Sequence, residues 1–238
     1  MKKLIIYLFL LFPVILNAQE VAFQYGFGYG KFNLKDVRTI QNRLRNAAAS
    51  IGARITDDFP AHHIQSVSIG GISASGRYHA GLNVAFLTTG GRVHVADYSG
   101  EYKMDMLLKG YRWGFFHRYY VPGNVPWANM YIQFEPGILS SRLRMEESLV
   151  IGAQKLTDES LSFRSTGLYL EPSTGVRFKP ARWLHLFLGC GYEIDLGGKM
   201  KQIGRKDKVT YNGDDRIRWS GYRLNAGLIF AIPGSAFD

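Results

Sequence analysis

Between Ser165 and Leu196 the chain repeats one pattern, an alternation of period two that runs longer than a globular strand usually does. Gly167, Tyr169, Glu171, Ser173, Gly175, Arg177 and Lys179 share one face, and Leu168, Leu170, Pro172, Thr174, Val176 and Phe178 share the other. In the next segment His185, Gly189, Gly191, Glu193 and Asp195 alternate with Leu184, Leu186, Leu188, Cys190, Tyr192, Ile194 and Leu196. Earlier, Asn129, Tyr131, Gln133 and Glu135 alternate with Met130, Ile132, Phe134 and Pro136. Any half-buried antiparallel sheet alternates, a soluble sandwich included, so the contents of the two faces decide between architectures. A face turned to water usually carries Thr, Lys and Glu. Here the polar face is glycine with isolated Glu and Arg, which suits the crowded interior of a barrel. The segments also reach the ~9–11 residues that a tilted strand needs to cross a bilayer. The alternation therefore predicts a membrane barrel whose leucine-rich face meets hydrocarbon.

Composition agrees with many strands: 27 glycines and 14% aromatic residues suit a sheet better than helices. Mean hydropathy is -0.10, and the one long apolar run lies at the extreme N-terminus, which excludes a bundle of membrane helices. A single cysteine, Cys190, excludes an internal disulfide framework and any multi-cysteine metal site.

The pattern places strands at Val21–Gly30, Ile64–Ser73, Tyr78–Leu87, Met104–Phe116, Ala128–Leu139, Ser165–Phe178, Trp183–Leu196 and Arg218–Ile232. Eight is an even number, so an antiparallel ring can close with both termini on one side. The connections Ala74–Arg77, His117–Trp127 and Lys179–Arg182 are expected to be periplasmic turns. Lys31–His63, Thr88–Lys103, Glu146–Ser160 and Gly197–Ile217 are mostly longer and more polar, as extracellular loops are. Tyr119, Tyr120, Trp127 and Trp183 fall at the turn end, and Trp219 and Tyr222 near the opposite rim, which resembles two interfacial girdles. Lys109 breaks the pattern by pointing at lipid, so a bulge or a position near the rim is expected there.

At the N-terminus Lys2 and Lys3 precede an apolar stretch from Leu4 to Leu16 that ends at Asn17-Ala18-Gln19. This is the layout of a cleaved export signal over residues 1–18, leaving one barrel domain over 19–238. Its removal lowers the formal net charge from +10 to +8, through Lys2 and Lys3.

With these segments in place, the chain resembles the small eight-stranded outer-membrane barrels, the OmpA transmembrane domain, OmpX and OmpW among them, in the form common in Bacteroidota. The resemblance rests on the signal ending Asn17-Ala18-Gln19, on Phe134-Glu135-Pro136-Gly137 and Leu170-Glu171-Pro172-Ser173, and on the closing strand Gly227-Leu228-Ile229-Phe230-Ala231-Ile232. It implies an all-β fold: a closed eight-stranded antiparallel transmembrane up-and-down barrel, with one short amphipathic helix in the first long loop, in the cell outer membrane. The chain departs from the family habit in continuing from Pro233 to Asp238 where many such barrels stop at a terminal Phe.

Eight strands enclose a space that side chains can fill. Arg112, Glu135, Glu171, Arg177, Glu193 and Arg223 lie on the predicted inward face, with His79 and His185. Charges withdrawn from water must pair, so an Arg/Glu network plugging the lumen is expected. Such a network is either a packed polar core or a path for protons and small ions. Outside the lumen, Asn33 and Asp36 open a helix through about Ala49, with Leu34, Val37, Ile40, Leu44 and Ala48 on one side. Lys35, Arg38, Arg43 and Arg45 lie on its polar side. It either rests on lipopolysaccharide, docks a partner, or caps the barrel mouth. The last long loop adds Lys199, Lys201, Arg205, Lys206 and Lys208.

Enzyme chemistry has thin support. His94, Asp97 and Ser99 lie close in sequence but in a loop, and His62-His63 point to opposite faces of a strand, so neither catalysis nor a metal site is expected. The reading is a non-enzymatic barrel without cofactor, whose partners are outer-membrane lipid and lipopolysaccharide, a protein partner being open and nucleic acid not expected. Two alternatives stand beside it. One is a small-solute or secretion-linked barrel, including a PorT-like accessory role, and the other a lipid A modifying hydrolase.

Overall fold

The computed structural model describes residues 18–123, 125, 127–152, 154–203 and 215–233. In chain order these form β1 (Ala18–Gly30), α1 (Lys35–Ala47), β2 (Arg54–Asp58), β3 (His62–Ser73), β4 (Tyr78–Asp97), β5 (Gly100–Tyr120), β6 (Ala128–Ile151) and β7 (Gln154–Phe178). There follow β8 (Leu184–Asp195), the short β9 (Gly198–Lys199), β10 (Lys201–Gln202) and β11 (Arg216–Ile217), and β12 (Gly221–Pro233). The expected export signal lies outside the described residues but for Ala18, which already pairs with Ser73.

Eight of these strands make a ring. β1, β3, β4, β5, β6, β7, β8 and β12 pair antiparallel in that order, and β12 returns to β1 through pairs such as Tyr25↔Leu228. Closure leaves no open edge through the barrel wall, the condition for a sheet to cross hydrocarbon. The alternation does what the residues require. Leu82, Val84, Trp113, Ile132, Phe134, Leu168, Leu188 and Leu224 stand exposed on the outside, whereas Asn83, Arg112, Glu135, Glu171 and Glu193 are buried inside. An apolar wall this continuous, at strand length enough to span a bilayer, makes a transmembrane barrel. Trp127 stacks on Phe178 and Trp183 on Phe230 at the turn end, both indoles exposed.

The strands run further than expected at the opposite, loop end. Thr88–Lys103 is a hairpin, with β4 and β5 paired through to Asp97↔Gly100, and Glu146–Ser160 is likewise paired ribbon. The tip of the β4–β5 hairpin is tied by Asp97, whose Oδ1 accepts the Ser99 hydroxyl (2.6 Å) and the backbone N–H groups of Ser99 (2.8 Å) and Gly100 (3.2 Å). These bonds hold the Asp97 carboxyl below its ordinary pKa, the Ser99 hydroxyl contributing most. Beyond the apolar wall the polarity inverts: the inward positions turn greasy and the outward ones mostly polar. Val93, Tyr102, Met104, Met106, Leu143 and Met145 are buried, so the extensions enclose a second core outside the membrane.

Helix α1 closes this core. Val37 and Ile40 are buried in it, with Leu34 and Phe32, against Phe59 and Trp219. Its start differs from expectation. The residue preceding it is Leu34, in the left-handed region (φ 44), with no side-chain cap, and the helix ends at Ala47 before a single 3-10 turn, Ala49–Ile51. Leu34 adopts this conformation because the backbone before it is already paired to the closing segment, Asn33 N–H to Ser220 O and Leu34 N–H to Arg218 O. At the same crossing Gly221 (φ +157) passes so close to Lys31 that a Cβ would sit 1.8 Å from its carbonyl oxygen.

Candidate functional site

Five strands bring charges to one point in the middle of the lumen. Arg112 on β5 reaches Glu135 on β6 (3.1 Å), Glu193 on β8 (2.7 Å) and Glu171 on β7. Arg223 on β12 reaches the same Glu193 oxygen (3.2 Å) and donates to the Trp219 carbonyl (2.9 Å). No side chain of the five is more than 6% exposed. Glu135 Oε1 also accepts from Asn83 Nδ2 (2.9 Å) and the Tyr169 hydroxyl (2.8 Å), and the Arg112 guanidinium lies 5.0 Å from the Tyr169 ring centroid. Buried charge survives only when paired and hydrogen-bonded, and here each carboxylate is held by at least one guanidinium. The residual cavity around these groups is about 30 Å³, room for one or two waters.

The expected network is thus assembled from Arg112, Glu135, Glu171, Glu193 and Arg223, with one correction. Arg177 faces inward but sits toward the turn end, away from the carboxylates, stacked 3.3 Å from the Tyr120 ring centroid and donating to Asn129 Oδ1 (3.2 Å). Beside it is Arg118, which donates to Gln133 Oε1 (2.7 Å) and lies over Tyr131 (4.5 Å) and Phe187 (5.2 Å). Arg118 escaped the sequence reading because the strand was ended at Phe116; the same parity continued by one pair places it in the lumen with Arg112. Tyr120 is buried inside rather than in a girdle, and Trp219 is wholly buried in the cap, its indole N–H donating to Ser141 Oγ (2.8 Å). Tyr222 is 70% exposed, as a rim aromatic should be. His79 and His185 are buried inside as expected.

The basic residues do not form one free surface. Arg38 is bound to Asp58 (2.6 Å), Arg43 stands 4.0 Å from Asp215, and Arg45 donates to Asn46 Oδ1 (2.8 Å). Lys35, Lys199 and Lys201 are exposed, while Arg205, Lys206 and Lys208 lie outside the described residues. Because the apolar side of α1 is spent on the cap, the helix caps the mouth rather than lying on lipid. His94 meets Glu101 (3.1 Å), and the Ser99 hydroxyl donates to Asp97, so the three residues do not make a nucleophile, base and orienter. His63 packs against Phe27 and Tyr29, and the described residues contain no group of three or more ligands that could hold a metal ion.

No protein-family model matches the chain, and no curated protein matches it. Among solved structures it is similar to Ail, the attachment invasion locus protein of Yersinia pestis, at 12% identity over 90% of this chain and 99% of that one, with a TM-score of 0.40. Neisserial surface protein A (NspA) is similar at 14% identity over 88% of this chain and 96% of that one, with a TM-score of 0.41. The outer membrane protease OmpT from Escherichia coli is similar at 8% identity over 90% and 96%, with a TM-score of 0.29.

Proposed function

We propose that the chain is a non-enzymatic outer-membrane barrel with a closed lumen, acting as a structural and interaction protein through its loop end. The observation that carries this is the doubled closure. The Arg112 network fills the middle of the lumen, and the Phe32, Phe59 and Trp219 core under α1 seals the mouth above it. Two closures in series, with about 30 Å³ of residual space among the network's side chains, support a lumen closed to bulk solute. The loop end, by contrast, presents ordered surface. Residues 154–161 of β7 pair with β6 alone among the described residues, leaving strand edge that an extended partner could extend.

The short turns share one rim with Ala18 and Pro233, the first and last described residues, and in bacterial barrels that rim faces the periplasm, so the capped end faces outward toward lipopolysaccharide. Planar-bilayer recording on the purified full-length protein tests the reading. The expected result is insertion without steady current; sustained ohmic conductance means an open lumen and ends it.

A further inference from the structure

Lys109, expected at the rim or on a bulge, lies on an unbroken register, directly opposite Arg142; Arg142 lies opposite Arg164, and Arg164 opposite Lys201. All four side chains are on the outside and exposed, one on each of four neighbouring strands. At the spacing of paired strands the row spans about 14 Å. Below it on the same faces stand Tyr111, Ile138 and Leu168 of the apolar wall; above it, apart from Leu107 and Ile203, the outward positions carry Lys103, Asp105, Arg144 and Glu146. The row is therefore where the hydrocarbon ends and headgroups begin, the depth at which exposed Lys and Arg cost least.

Like charges directly opposite each other on a sheet repel, and four in succession is an arrangement the fold alone does not explain. Among the described residues no carboxylate pairs with any of the four. The acids above them are engaged elsewhere: Glu146 with Arg144 (2.5 Å), Asp105 with Arg92 (2.5 Å) and Lys103 (3.0 Å). Groups that match such a row carry several negative charges at headgroup depth, and phosphate monoesters accept from guanidinium in the bidentate geometry that carboxylates use. We infer that Lys109, Arg142, Arg164 and Lys201 form a docking row for a phosphorylated glycolipid of the outer leaflet. Its phosphates lie on the row and its acyl chains run down the wall of Tyr111, Ile138 and Leu168. The inference rests on the outer-membrane reading above and names the lipid partner.

The test is binding of diphosphoryl lipid A to full-length protein in detergent micelles, read by native mass spectrometry. The proteins are wild type, a row variant (Lys109→Gln, Arg142→Gln, Arg164→Gln and Lys201→Gln together) and a helix variant (Lys35→Gln with Arg45→Gln). Wild type and helix variant are expected to hold the lipid alike, and the row variant to lose about tenfold or more in affinity. Enzymatically dephosphorylated lipid A is expected to bind wild type as weakly as the intact lipid binds the row variant. Inorganic phosphate at equal concentration should not displace the lipid. The single Arg142→Gln and Arg164→Gln variants give intermediate loss and guard against a misfolded quadruple variant. Equal binding by wild type and folded row variant, or equal binding of both lipids, overturns the docking row while leaving the barrel reading intact. A wild-type protein that fails to insert into lipid vesicles overturns both.

Discussion

Arg112 Nη1 lies 2.7 Å from Glu193 Oε2, a bond that joins β5 to β8 across the lumen, past the two strands that separate them around the ring. Through Glu193 it also reaches Arg223, so β12 is tied to the same knot. A cross-lumen bond of this kind holds the barrel's section as well as filling it. Two guanidiniums here face three carboxylates, which makes the arginines the scarcer partners.

That scarcity orders two substitutions. Arg112→Ala strands Glu135 and Glu171 and is expected to cost about 3–5 kcal/mol, whereas Glu171→Gln leaves Arg112 with two carboxylates and costs distinctly less. Both should lower the melting temperature in detergent. Urea titration of vesicle-inserted protein checks the order, and an unchanged Arg112→Ala midpoint contradicts the plugged lumen.

The cap and the network are closures in series. Trp219→Ala removes a wholly buried indole and its bond to Ser141, and is expected to destabilise the cap by about 3–5 kcal/mol. Amide exchange across Lys35–Ala47 should accelerate while the bilayer current stays absent, because the Arg112 network still fills the lumen. Current through the single variant would show that the cap alone closes the barrel.

Gly114 tests how tightly the network is packed. A Cβ there would lie 2.1 Å from the Tyr169 hydroxyl and 2.6 Å from Glu135 Oε1. Gly114→Ala is expected to cost about 1–3 kcal/mol by overpacking, and adding Tyr169→Phe should recover part of it by removing the struck hydroxyl. Comparison of the two urea midpoints decides; an indifferent Gly114→Ala would mean slack that the geometry does not have.

Acid should loosen the hairpin outside the membrane. Partial burial pushes the Asp105 carboxyl up, but hydrogen bonds from Arg92 and Lys103 outweigh it and hold the pKa below the usual 3.8. A depressed carboxylate stabilises the fold above its unfolded pKa, and that contribution disappears as pH falls through the folded value. Amide protection of the β4–β5 hairpin near Asp105 is therefore expected to be full at neutral pH and to drop below about pH 4. In Asp105→Asn the protection is lower at neutral pH and this acid step is gone.

Most of the wall and the lumen was legible from period two alone. Glu135, Glu171, Glu193, Arg112 and Arg223 fall inward by parity, and the burden of burying them made a network necessary before any distance was known. Other features were readable but lost to one rule. Tyr102 continues inward the alternation of Met104 and Met106 with which the expected strand begins, so the β4–β5 extension had a strand's signature; the polar Glu101 and Lys103 beside it made it look like loop. Arg118 was missed for the same reason, a strand ended too soon.

What one chain pattern determines is which side of the wall each residue faces, because side-chain direction in a strand depends only on local backbone geometry. Which charges then meet is decided by the ring's closure and shear, which bring β5, β7, β8 and β12 to one point from distant parts of the chain. Arg177 therefore ended beside Tyr120 instead of a glutamate, Trp219 went into the cap instead of a girdle, and Lys109 stands in line with Arg142, Arg164 and Lys201. Contacts between residues dozens of positions apart are properties of register between strands, and register is written by packing of the whole barrel rather than by any segment of it.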